Sequence, residues 1–439
     1  MKYSMFNNLV FYKDNTYFLF NTLTNNYLII NSLIKDLIEA GISLGDIEDL
    51  AEIHPSLYAS LIENEFLVNN DKDEVQAVVG IREEIDLDPE DLEYQVVINP
   101  TMNCNFKCWY CYESHIKDSR LESQELENIK RFITNTIEQK PNLKKFRVSW
   151  FGGEPLLQYK QVVEPIQLFC KELFATNGIE FTSSFTTNGF LINDEMIEVF
   201  ANTNVKGFQI TLDGHRELHD KVRYVSSSRG SYDQIVANIL KLCRKGLFVN
   251  LRINYTRETL LNITDILPDL EDLELSYRDN LLISFRKVWQ EDDPTVIDRA
   301  LTVAQIFRDF KFNVSKSGYP DTLNQSCYAD KRNQATINYN GDIYKCTARD
   351  FKASGREGKL NDRGLIEWNE RLDQRLQVKF RNKPCLSCPI LPMCNGGCSQ
   401  KALENSGKDY CVFNFNELDK KKVVLEKILM NLNTADVAV

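Results

Sequence analysis

No apolar run in the chain approaches the length of a membrane-spanning helix; stretches such as residues 27–30 and 412–413 stop far short. The first residues, MKYSMFNNLVFYKDN, lack the basic segment and apolar core of a secretory signal. A cytoplasmic protein without a membrane partner is therefore expected. Positive charge is also in deficit. A formal net charge of −11 sets up a field that repels polyanions, so nucleic acid is not an expected partner. There is no long internal repeat and no low-complexity tract. Cysteine, by contrast, is plentiful: twelve in a cytoplasmic chain are reduced thiols, and their clustering points to metal ligation or catalysis before disulfides.

A chain of 439 residues exceeds one compact core, and four stretches differ in texture. Residues 1–75 start with short β-like segments, LVFY, YFLFN and YLIIN, between Asn-rich turns. Two amphipathic helices are expected next, one through Leu44, Ile47, Leu50 and Ala51, the other through Leu57, Leu61 and Ile62 after Pro55. The strand FLVNN closes a unit of winged-helix character. Acidic residues 76–93 read as a solvated linker with a short helix. Over 94–312, six strand candidates (YQVVINP, FRVSWFGG, IEFTSSFTTNG, GFQITLDG, FVNLRINYT and LLISFRKV) alternate with helical patterns, which predicts a parallel sheet of βα units. Residues 313–439 are loop-rich and end in a helix.

The first cysteine group is Cys104, Cys108 and Cys111, spaced C-x3-C-x2-C directly after the first of these strands. Three thiolates on one loop hold three corners of a [4Fe–4S] cube and leave the fourth iron without a protein ligand, open to a small molecule. A zinc knuckle is the competing reading, but zinc sites usually pair C-x2-C units and close all four positions. No partner Cys or His accompanies this triplet except His115, which reads as a loop residue. The lone Cys170 and Cys243 fall on apolar helical patterns and read as packing residues.

With Tyr110 just before its last cysteine, the triplet resembles the signature of the radical S-adenosylmethionine (SAM) superfamily, and the resemblance extends over the βα region. Gly152, Gly153 and Glu154 in WFGGEPLL are similar to the motif whose backbone meets the SAM amino group. Thr187 and Asn188 in TTNGF, and Thr211 and Asp213 in QITLDG, stand at strand ends that contribute to SAM binding in such enzymes. Arg223 and Arg252 are candidates for the SAM carboxylate. The resemblance implies an α/β fold with a partial (β/α)6 barrel. It also implies an opening step in which reduced cluster and SAM yield a 5′-deoxyadenosyl radical that abstracts hydrogen from an unactivated carbon. The electron would come from a donor such as flavodoxin or ferredoxin.

Seven further cysteines fall within residues 327–411. Cys327 and Cys346 flank Gly341; Cys385, Cys388, Cys394 and Cys398 are spaced C-x2-C-x5-C-x3-C; Cys411 follows. This resembles the SPASM extension, which carries auxiliary [4Fe–4S] clusters, giving three clusters in all. By that pattern Cys385, Cys388, Cys394 and Cys411 close one cluster, and Cys327, Cys346 and Cys398 hold another. The residues GYPDTLNQS before Cys327 contain no eighth cysteine, which leaves carboxylate, solvent or substrate as its fourth ligand.

Two branches share this arrangement. Sulfatase maturases, which make formylglycine, typically place an acidic residue right after the cysteine matching Cys346; here Thr347 stands there and Asp350 is the nearest carboxylate. Residues 1–75 look like a leader-recognition domain, able to take an extended peptide onto a sheet edge. A maturase of ribosomally made peptides is therefore expected, ahead of a formylglycine-generating enzyme and of an iron–sulfur redox or sensing protein without SAM chemistry. Thioether, carbon–carbon or carbon–oxygen crosslinking and epimerisation all begin with the same abstraction.

Overall fold

The computed structural model describes residues 1–226, 228–293, 295–315 and 325–435. It divides into two compact units: one joins residues 1–89 to 317–332 and 373–439, the other comprises 90–316 and 333–372. The division cuts across the four stretches distinguished by texture, because residues 333–372 go with the sheet and 373 onward with the N-terminal segment.

In the first unit β1 (Lys2–Tyr3) precedes an antiparallel meander of β2 (Asn7–Lys13), β3 (Thr16–Asn21) and β4 (Tyr27–Asn31). Asp14 and Asn15, both at positive φ (44° and 63°), make the two-residue turn whose twist matches the flanking strands. Asn31 caps a helix over Ser32–Leu44 by accepting from the Ile34 N–H, and left-handed Gly45 ends it. The amphipathic helix expected through residues 44–51 is thus displaced. Gly45 stops the chain there, and residues 47–53 form only two short turns. The expected helix after Pro55 is present over Pro55–Glu63, and β5 (Leu67–Val68) pairs with β1. Residues 74–87 form a 14-residue helix with Val78 and Arg82 buried, not a solvated linker.

Alternation along β3 sends side chains to both faces of the meander. Leu19 packs with Ile38, Leu61 and Phe66. Phe18 and Phe20 pack with Ile390, Met393, Val424 and Ile428, the last two on the helix Glu417–Ala435. Asn8 Nδ2 and Thr22 Oγ1 both donate to the Pro389 carbonyl, at 3.2 and 2.6 Å. N- and C-terminal segments therefore share one core.

The second unit is built on an eleven-stranded sheet. Six long parallel strands lie side by side in chain order: β6 (Glu93–Asn99), β7 (Lys145–Trp150), β8 (Glu180–Thr187), β9 (Val205–Leu212), β12 (Phe248–Tyr255) and β13 (Leu281–Lys287). A small hairpin, β10 (Tyr224–Ser226) with β11 (Arg229–Gly230), sits apart from them. β14 (Asn313–Val314) borders β13. Beyond β6 come β15 (Gln334–Asn338), β16 (Asp342–Tyr344), β17 (Gly358–Leu360) and β18 (Ile366–Trp368). Among the described residues the sheet does not close on itself. All six expected strands are present, and the architecture is the α/β partial barrel anticipated from the sequence.

One side of the six strands is apolar and faces the helices: Val96, Ile98, Val148, Trp150, Phe185, Phe208, Ile210, Leu251 and Ile283 are all buried in a single core. Each such side chain contributes roughly 1.5–3 kcal/mol by leaving water. The intervening positions carry Ser149, Ser184, Gln209, Thr211, Asn250, Arg252 and Asn254. Period-two patterning thus gives one hydrocarbon face and one hydrogen-bonding face. Among the described residues no helix is long and apolar enough to cross a membrane.

Candidate active site of the partial barrel

The C-terminal ends of these strands open onto a cavity of about 280 Å³. Cys104, Cys108 and Cys111 line it from the loop after β6. Of the ten residues expected to contact a cofactor, Tyr110, Gly152, Gly153, Thr187, Asn188, Thr211, Arg223 and Arg252 line it too. Glu154 and Asp213 do not; both are buried beneath it.

The loop after β7 is laced to the cysteine loop. The Gly153 N–H donates to the Thr101 carbonyl at 3.1 Å and the Glu154 N–H to the Asn103 carbonyl at 2.9 Å. Gly152 has φ +104°, and a Cβ on Gly153 would lie 2.2 Å from the Asn103 oxygen. The two glycines thus permit a close approach between protein backbones at the root of the thiol loop. The Glu154 carboxylate accepts from Leu156 N–H (3.0 Å), Thr187 Oγ1 (2.8 Å) and Asn188 N–H (2.8 Å). Burial raises its pKa while those donors oppose the rise. Asn188 Nδ2 in turn donates to Asn105 Oδ1 at 2.8 Å. Glu154 is a strut that ties the loops after β7 and β8 together.

A second network fixes Tyr110. Its hydroxyl donates to Asp213 and accepts from Arg223 Nη2 at 2.7 Å and Asn254 Nδ2 at 3.0 Å. Arg223 Nε donates to Asp213, and Arg252 Nε to Asn254 Oδ1 at 2.9 Å. Burial opposes the Arg223 charge, but Asp213, Tyr110 and Cys108 together outweigh it and hold its pKa above the ordinary value. Behind the pair, His219 Nδ1 accepts from the Asp213 N–H at 3.2 Å, and its Nε2 lies 3.0 Å from Ser231 Oγ, which donates to the Arg223 carbonyl. Burial pushes the His219 pKa down to about 4, with Asp213 pulling the other way.

The neutral imidazole has a stability consequence. The folded-state pKa lies below that of the unfolded chain, so the unfolded chain takes the proton first. This contribution is present above about pH 6.5 and disappears as pH falls toward 4; in full it is on the order of 3 kcal/mol. Denaturant midpoints should fall between pH 7.5 and pH 5, and by less in a His219→Gln variant.

The donor set suits an iron–sulfur cube. Burial, with Glu154 second, pushes the Cys104 thiol up to about 12, and burial also raises Cys108 and Cys111. Thiols so placed ionise readily only against a cationic partner. Among the described residues no three ligating side chains crowd together as around a single ion. A cube presents a separate iron to each sulfur and does not need that crowding.

Two features at this site were not anticipated. Tyr112 and Trp289 stack at the rim, centroids 5.6 Å apart and planes at 20°, although they are 40% and 64% exposed. Glu113 lines the cavity with one buried oxygen lacking a hydrogen-bond partner, and burial, reinforced by Asp350, lifts its pKa to about 8. Their only sequence signals are position: Trp289 just past a strand end, Glu113 two residues beyond the last thiol. Asp350 accepts from Ser114 N–H (3.0 Å) and Oγ (2.7 Å), which pins the segment after Cys111.

In the other unit, Cys385, Cys388, Cys394 and Cys411 line one small cavity, walled by Ile390, Leu391, Val412 and Phe413. Cys327 and Cys398, both exposed, belong to this unit and half-buried Cys346 to the sheet unit, so their grouping rests on the sequence pattern. Residues 318–324 of the segment before Cys327 lie outside the described residues. Cys170 and Cys243 are fully buried packing residues, as expected.

Comparison with known proteins bears on the domain that holds this cavity. Residues 98–267 match the model of the radical SAM superfamily. The chain carries a radical SAM domain. Such a domain implies SAM and a [4Fe–4S] cluster. A cysteine-type anaerobic sulfatase-maturating enzyme of Clostridium novyi is 30% identical over 179 residues, covering 39% of this chain and 46% of the relative, so the chain spans less than half the length of that curated protein. Among solved structures, anSMEcpe with bound AdoMet aligns with a TM-score of 0.56 at 17% identity, over 78% of this chain and 99% of its own. SuiB of Streptococcus suis bound to precursor peptide SuiA aligns with a TM-score of 0.52 at 15% identity, over 94% of this chain and 100% of its own. At these identities the likeness is one of fold alone.

Proposed function

We propose that the protein is a radical SAM maturase of ribosomally made peptides. Bound together, the reduced cluster and SAM supply a 5′-deoxyadenosyl radical that takes a hydrogen atom from an unactivated carbon. The protein's own residues do the rest. Cys104, Cys108 and Cys111 hold the cluster, and the Tyr110–Asp213–Arg223 network keeps the loop between them rigid. Thr187, Asn188, Thr211 and Arg252 offer hydrogen bonds to SAM. The walls of the cavity shield the reacting carbon from water. Cys385, Cys388, Cys394 and Cys411 hold an auxiliary cluster, and a flavodoxin or ferredoxin supplies electrons.

The peptide assignment is carried by the meander of the first unit. β4 is one of its two edge strands, pairing with β3 alone among the described strands, with Ile29 60% exposed on it and Leu33 74% exposed on the adjoining helix. An extended leader adds to such an edge through main-chain hydrogen bonds, and exposed apolar side chains select its sequence. The SuiB structure with its precursor peptide supports this reading. Removing residues 1–75 would also strip Phe18 and Phe20 from the core they share with Val424 and Ile428, so point changes are the cleaner test. Ile29→Lys with Leu33→Glu should weaken binding of the precursor, encoded by a neighbouring reading frame, by about tenfold, or about 1.4 kcal/mol. Peptide-independent SAM cleavage should be unchanged. Equal affinity in fluorescence anisotropy would reduce the meander to a structural cap. The mass change of the peptide then reads the reaction: loss of two hydrogens for a crosslink, solvent deuterium uptake without that loss for epimerisation. Formylglycine on a sulfatase peptide would instead favour the second branch.

A further inference from the structure

Two polar groups that ligation does not require accompany the cavity lined by Cys385, Cys388, Cys394 and Cys411: Lys420 on its wall and Asn382 on the sulfur of Cys385. Asn382 Nδ2 donates to Cys385 Sγ at 3.0 Å. The same nitrogen donates to the Tyr410 carbonyl at 2.7 Å, and Asn382 Oδ1 accepts from the Tyr410 N–H at 3.3 Å, so the amide is held by the residue before Cys411 and cannot swing away. Lys420, on the helix Glu417–Ala435, lines the same cavity and is 9% exposed. Its Nζ bonds Glu417 Oε1 at 2.6 Å, but that carboxylate is 65% exposed and largely screened by water. Of the groups acting on Lys420, burial opposes its charge, whereas Glu417 and the Cys388 and Cys411 sulfurs favour it.

We infer that Asn382 and Lys420 are tuning residues that raise the reduction potential of the cluster held by these four cysteines. The inference rests on the reading that the four thiols hold a cluster. Reduction adds one electron, and so one negative charge, to a centre already made anionic by four thiolates. A cation and a hydrogen-bond donor at the sulfurs stabilise the reduced form more than the oxidised one. The surrounding Ile390, Leu391, Val412 and Phe413 lower the local dielectric and enlarge that difference. The effect is read as a potential.

The test is a dithionite titration of the anaerobically reconstituted full chain, followed by electron paramagnetic resonance. The background is C104A/C108A/C111A, and the relevant signal is the one lost in Cys388→Ser. At the potential where the parent cluster is half reduced, Lys420→Met and Asn382→Leu should each raise the ratio of oxidised to reduced cluster from one to about five or more, a tenfold ratio being about 59 mV for one electron. Lys420→Arg, which keeps the charge, should stay within about twofold of the parent. Should Asn382→Leu lose iron, Lys420→Met and Lys420→Gln decide the matter from a helix that supplies no ligand. Neutral Lys420 variants that retain full iron and titrate like the parent overturn the inference. Unchanged iron and spectra in Cys388→Ser would instead refute the four-cysteine cluster itself.

Discussion

Replacing Cys104, Cys108 and Cys111 together by Ala should abolish SAM cleavage, with 5′-deoxyadenosine falling at least about a thousandfold to the reagent blank. A barrier increase of about 4 kcal/mol or more corresponds to that loss. Were the chain to hold three cubes, as the resemblance implies, iron should fall by about a third from roughly 12 atoms. The fold should survive, because the three thiols sit on a loop at the cavity and only Cys104 and Cys108 border the hydrocarbon core, to whose buried residues none of the three belongs. Far-ultraviolet circular dichroism, iron assay and chromatography of the nucleoside product check the three parts of this expectation. Continued 5′-deoxyadenosine formation would mean that another set of cysteines holds the active cluster.

Gly153→Ala is expected to be nearly as damaging, although it adds one methyl group and removes no ligand. The new Cβ would lie 2.2 Å from the Asn103 oxygen and 2.6 Å from its carbon, backbone atoms immediately before Cys104. Neither can rotate aside as a side chain would, so the thiol loop itself must move. Overpacking of this kind costs about 3 kcal/mol. A displacement of about 1 Å at a reacting site lowers turnover roughly a hundredfold. The variant should take up less iron in the cavity cluster and lose at least that much SAM cleavage. Gly178→Ala makes a useful control. Its Cβ meets nothing within 4 Å, although positive φ (+68°) carries its own modest strain. Near-normal 5′-deoxyadenosine from Gly153→Ala would show that the loops after β6 and β7 are not locked as described.

The radical SAM region was legible because its signals are local. Each of the six long strands is a short β-rich segment ending in a turn, and the thiol triplet, GGE and LDG segments stand at or just beyond strand ends. The first unit was less legible. Leu44, Ile47, Leu50 and Ala51 keep helical spacing, but Gly45 at φ +75° interrupts it, and the capped helix ends where the expected one began. Residues 76–93 looked solvated by their acidity, yet Arg82 is 1% exposed and its Nη1 donates to the Gln325 carbonyl, 243 residues away. Long-range partnerships of this kind leave no local mark. The carboxylates of Glu154 and Asp213 are likewise engaged beneath the cavity, with Thr187 and Arg223, a role their sequence positions do not reveal.

The most direct test of a peptide-modifying radical SAM enzyme is transfer of a label between its two substrates. The reconstituted protein is incubated without oxygen with SAM, dithionite and a precursor peptide deuterated throughout its non-exchangeable positions, and the 5′-deoxyadenosine is weighed by mass spectrometry. One deuterium should appear in the nucleoside in step with modification of the peptide. Unlabelled 5′-deoxyadenosine beside an unmodified peptide would contradict the peptide assignment, and no 5′-deoxyadenosine at all would contradict the SAM chemistry itself.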